Sequence, residues 1–100
     1  MALGASELFE LFLALAPARL SMARMALEES DLAERERALR AALIPLAVDA
    51  ALLGAAGLSE VARATADAFR APPAELERSI SELEAATEAL GHGDESGART

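Results

Sequence analysis

The chain has 100 residues, a formal net charge of −8, nine basic residues and three aromatic ones. That length allows one domain with a modest core, and an acidic chain without a basic stripe argues against nucleic acid or an anionic membrane surface as partner. Cysteine is absent, which excludes disulfides and thiol chemistry and fits a cytoplasmic protein; no apolar run approaches the ~20 residues of a membrane helix. With 26 alanines and 17 leucines, and no alternating strand pattern, the composition is that of an all-α protein.

The first apolar segment runs from about Ser6 to Glu29. Ser6 is a candidate N-cap, and Glu7 and Glu10 sit in the first turn, where the helix dipole favours acids. These acids, with no basic segment before them, also argue against a signal peptide over Leu8–Ala18. Leu8, Leu11, Phe12 and Leu15 form one face. Pro17 lacks the N–H of a helix interior, so the reading places a short extra helix up to about Ala16 and a second helix from Pro17 to Glu29. Leu20, Ala23 and Leu27 give the second piece its stripe, and Met22 and Met25 widen it. The two methionines fit core filling better than an adaptable binding surface.

The next helix spans Asp31 to Gly54. Asp31 with Glu34 fits a capping box, and Gly54 fits a left-handed C-cap. Pro45 lies deep inside and predicts a kink. This helix is apolar on two opposite sides. Leu32, Leu39, Leu46 and Leu53 recur every seven residues, with Leu43 and Ala50 beside them, as a core-facing stripe. Half a turn away lie Ala41, Ile44, Val48, Ala51 and Ala55, with Arg37 and Arg40 at the N-terminal end. A small bundle buries one such stripe per helix, so the second points to a partner, and to binding rather than chemistry.

A further helix is expected over Gly57–Arg70, with Leu58, Val61, Ala62, Thr65 and Phe69 inward. Pro72 and Pro73 open the last one, striped by Leu76, Ile80, Leu83, Thr87 and Leu90 and ended by Gly91. Residues His92 to Thr100 read as a flexible tail or linker, which leaves residues 5–91 as the helical domain. Short connections force antiparallel neighbours. The expected fold is an antiparallel up-down-up-down four-helix bundle with a short extra N-terminal helix.

The central helix resembles that of histidine-containing phosphotransfer (HPt) domains, including the N-terminal domains of chemotaxis-type histidine kinases. Their signature His-x-Leu-Lys-Gly-x-Ala-x-x-Leu-Gly falls on Ile44 to Gly54, with agreement at Leu46, Ala50, Leu53 and Gly54. Gly57, Leu58, Val61, Ala62 and Arg63 are similar to the following family helix, and Phe12 through Leu27 to the preceding one. The departures fall on the chemistry: Ile44 stands at the phosphoacceptor position, Ala47 at the phosphate-neutralising Lys, and Val48 at the Gly that admits the receiver. Transfer through His needs an imidazole nitrogen, which Ile44 lacks.

The resemblance implies a phosphotransfer-inactive interaction module in bacterial two-component signalling, not an enzyme. Its partner would be a response-regulator receiver domain or a histidine kinase, bound through Arg37, Arg40, Ile44, Ala47, Val48, Ala51 and Leu52. Two alternatives stand beside it. One is a structural homodimer built on the same face; the other is a working phosphotransferase using a non-standard residue.

Other candidates read as structural. His92, flanked by Gly91 and Gly93, fits a solvated tail residue, and one His is inadequate for a metal. Asp49, at the edge of the core stripe, fits pairing with Arg24 or Arg63. The acidic runs Glu28, Glu29, Asp31, Glu34, Glu36 and Glu75, Glu77, Glu82, Glu84, Glu88 fit solvated faces. No metal, cofactor or small-molecule ligand is expected, since no phosphate loop, nucleophile elbow or zinc spacing is present.

Overall fold

A computed structural model describes the backbone of residues 5–99 and the side chains of residues 6–91. Among the described residues the protein is all-helical, with α1 Ala5–Ala26, α2 Leu32–Leu52, α3 Ala56–Asp67 and α4 Pro73–Arg99. Helix α1 packs on α2 and α4, and α3 also packs on α2 and α4.

Helix α1 runs unbroken through Pro17, where the sequence predicts a break and a separate short helix. Pro17 removes the N–H that would bond the Leu13 carbonyl. Its exposed position lets water serve that carbonyl, so one lost hydrogen bond does not end the helix.

Helix α2 starts as expected. Asp31 is extended at φ −80° and ψ 122°, and its carboxylate accepts from the backbone N–H of Ala33 at 2.8 Å and of Glu34 at 3.4 Å. The reciprocal half of a capping box is replaced by an ion pair between Glu34 and Arg37. Pro45 is accommodated within the helix. At the other end Gly54 takes φ +82°, the left-handed conformation that costs an L side chain strain. Around it Gly54 N–H donates to the Ala51 carbonyl (3.1 Å) and Ala55 N–H to the Ala50 carbonyl (2.8 Å), the paired bonds of a Schellman cap.

Helix α3 has no side-chain N-cap, since Ala55 precedes it. Helix α4 does not stop at Gly91 but continues to Arg99, over most of the expected tail. Gly91 does not take the left-handed conformation of a glycine cap; among the described residues Gly54 is the one positive-φ glycine.

The core is one cluster. Phe12, Ala16, Leu20 and Ala23 come from α1; Leu39, Leu43, Leu46 and Ala50 from α2; Leu58, Ala62 and Ala66 from α3; Leu76, Ile80 and Leu83 from α4. Leu32, Leu11, Leu15 and Val61, all given inward positions by the sequence pattern, are exposed instead. Each helix is covered on one side only, so apolar residues beyond the Phe12/Ala16/Leu20 and Leu58/Ala62/Thr65 lines stay in water. No described helix is long and apolar enough to cross a membrane.

Candidate functional site

The outward side of α2 follows from helix periodicity. Leu39, Leu43, Leu46 and Ala50 are fully buried, so residues half a turn away face solvent. Val48 is 42% exposed and Leu52 67%. Ala41 and Ala51 are exposed with them. Ile44 is half-buried and packs against the core cluster, so it forms the floor of the patch rather than its summit.

Ala47 is corrected: it is fully buried and cannot touch a docked partner. It lies one residue before Val48, and the roughly 100° step of the helix carries it around to the buried side.

Ion pairs brace this face. On one side Arg19 of α1 donates to Asp49 of α2 at 2.7 Å. On the other, Arg40 of α2 is held by Glu36 at 3.2 Å and by Asp67 of α3 at 3.1 Å. Arg37 pairs with Glu34 at 2.6 Å, and its side chain stays 71% exposed. The Asp49 partner is thus Arg19, not the Arg24 or Arg63 that the sequence suggested. Arg40 is tied across to α3, which leaves Arg37 as the more exposed of the two cations.

Chemically the patch is inert. Ile44, Val48, Ala51 and Leu52 carry no titratable or nucleophilic atom. Among the described residues no group of three or more His, Asp or Glu could hold a metal ion. The side chain of His92 lies outside the described residues.

Arg24 serves elsewhere, joining α1 to α4. It donates to Glu77 at 2.8 Å, to Glu84 at 2.7 Å and 3.2 Å, and to the Ser81 hydroxyl at 3.2 Å. The Glu84 and Glu77 hydrogen bonds hold the guanidinium above its usual range, and the same contact pulls the Glu84 carboxyl below the ordinary carboxylate value. Beside this clasp is a cleft of about 360 Å³ between Pro17, Leu20, Ser21, Arg24, Glu84, Thr87 and Glu88. Four of the five Arg24 N–H donors are engaged and the Thr87 hydroxyl donates to the Leu83 carbonyl, which leaves a single guanidinium N–H for a ligand.

The feature that sequence reasoning missed is on α1. Met22 is 51% exposed and Met25 64%, so they do not fill the core. With Ala26, Glu29, Ala38 and Ala41 they line a groove of about 270 Å³ between α1 and α2. Leu11 and Leu15 share their side of α1 at helical spacing and are exposed as well. The available signal was excess: Phe12, Ala16, Leu20 and Ala23 already make a complete stripe, and apolar residues beyond one stripe have nothing left to pack against.

Comparison of the chain with protein-family models, with curated proteins and with solved structures finds no match.

Proposed function

We propose that this protein is a phosphotransfer-inactive, HPt-like interaction module of bacterial two-component or chemotaxis-like signalling. It acts in the cytoplasm and binds a receiver domain or a histidine kinase through the outward side of α2. The observation that carries the reading is the exposed pair Val48 and Leu52 above Ile44, on the helix side where the HPt signature would place its histidine. An apolar patch there offers contact area to a docking domain and no atom that could accept a phosphoryl group.

The fold expected of such a module is an antiparallel up-down-up-down bundle. Two contacts at separate levels support that course for α1 and α4. Arg24, near the end of α1, meets Glu77 near the start of α4, and a Cβ at Gly91, late in α4, would lie 3.6 Å from Leu13, early in α1.

On this reading Val48, Ala51 and Leu52 make the contact, Ile44 supports them from below, and Arg37 and Arg40 border it. Replacing Val48 by Arg puts a hydrated charge at the centre of the contact while leaving the core intact. The test is a binding titration of wild type and Val48→Arg against receiver domains, with helicity followed by circular dichroism. Loss of binding at constant helicity supports the reading; unchanged affinity removes this surface.

A further inference from the structure

We infer that the groove between α1 and α2 docks a basic amphipathic helix of a partner protein, with an Arg or Lys of that helix reaching Glu29. The groove is centred on Ala38 and Ala41, two helical turns before Val48, and the inference stands whether or not the Val48 patch binds a receiver.

Shape comes first. Met22 and Met25 form one wall and Ala38 and Ala41 the other. Small alanines opposite long methionines leave a trough that accepts bulky apolar side chains, and flexible thioether chains adapt to their outline. Apolar residues at i, i+4 and i+7 of an incoming helix suit such a trough.

Charge decides the occupant. Glu29 lines the groove, and among the described residues its carboxylate forms no ion pair. The neighbouring cations form no ion pair with it: the Arg35 guanidinium, still charged, donates to the Glu29 main-chain carbonyl at 2.7 Å and 3.1 Å rather than to the carboxylate, and Arg37 is paired with Glu34. Pro45 has no N–H to give the Ala41 carbonyl, so a backbone acceptor on this wall lacks its i+4 donor. The groove is therefore bordered by a carboxylate that, among the described residues, no cation pairs. A chain of net charge −8 also attracts basic partners from a distance and repels a second copy of itself.

The probe is a fluorescein-labelled helical peptide of about 18 residues, with Leu at i, i+4, i+7 and i+11 and Arg on the flanks. Its anisotropy is read against the whole protein at about 0.15 M salt. Saturable binding is expected, weakened at least about tenfold by Met22→Ser/Met25→Ser, which leaves the net charge untouched, and by Glu29→Arg. Val61→Ser, on the exposed side of α3, is expected to leave it unchanged, and a peptide with Glu in place of Arg is expected not to bind. The proposal is overturned if wild type does not bind the peptide or if the methionine double variant binds as tightly as wild type. It is equally overturned if the acidic peptide binds equally well, or if wild type sediments as a dimer that the double variant dissolves.

Discussion

Ala47 and Val48 are neighbours in sequence, yet an aspartate should have opposite consequences at the two positions. Ala47 is fully buried in the core cluster, so Ala47→Asp would place a carboxylate among apolar side chains. An uncompensated buried charge costs about 3–5 kcal/mol, against a total stability of about 5–15 kcal/mol for a domain. At roughly 4–8 °C per kcal/mol for a protein of this size, the midpoint should fall by well over 10 °C, or the folded state should be lost. Val48 keeps 42% of its surface in water. Complete burial of such a side chain contributes about 1.5–3 kcal/mol, so Val48→Asp should cost roughly 1 kcal/mol, a few degrees. Thermal unfolding followed by circular dichroism at 222 nm, about the standard helical band, measures both. Equal destabilisation by the two substitutions, or the greater loss at Val48, would refute the assignment of the outward side of α2.

Other substitutions test the rest of the account. Gly54→Ala adds a Cβ that meets nothing within 4 Å but sits at φ +82°, so urea unfolding should show a loss of about 1–2 kcal/mol from backbone strain alone. Pro45→Ala restores a donor to the Ala41 carbonyl and should raise the melting temperature, by less than the ~3 kcal/mol helix-interior cost of Pro because α2 already tolerates the ring. Arg24→Ala removes two partly exposed ion pairs, each about 0.2–1 kcal/mol, and should lower stability by about 1 kcal/mol at low salt and less at high salt. Glu84 has a depressed folded-state value, so its contribution is present above its unfolded value and fades as acid protonates it. The gap between wild type and Arg24→Ala should therefore narrow below about pH 4.5; a gap that widens in acid would contradict the pairing.

Local chemistry was the legible part of this fold. The Asp31 cap and the left-handed Gly54 depend on a few neighbouring backbone groups, and both read directly from residue type. The core stripe of α2 was equally plain, because Leu39, Leu43 and Leu46 share one side of a helix. What depended on surroundings did not read. Whether Pro17 or Gly91 ends a helix depends on solvation of a freed carbonyl and on backbone conformation, and neither is written in the residue name. Whether Met22 and Met25 are covered depends on which sides of α1 are occupied by α2 and α4. The partner of Asp49 is set by how α1 crosses α2, which brings Arg19 within reach and sends Arg24 to α4. The outward α2 patch was legible only in part: Val48, Ala51 and Leu52 stand in solvent, while Ile44, expected at its centre, packs half-buried on the core and Ala47 falls inside by a single helical step.

The most direct test uses phosphorylated receiver domains encoded in the same genome, mixed with wild type and with Val48→Arg, measuring bound fraction and acid-labile phosphate on this chain in the same samples. Binding by wild type, its loss in Val48→Arg, and no label on either protein are the predicted results. Phosphate appearing on this chain, or a receiver that binds Val48→Arg as tightly as wild type, would contradict the assignment of α2 as a docking face without transfer chemistry.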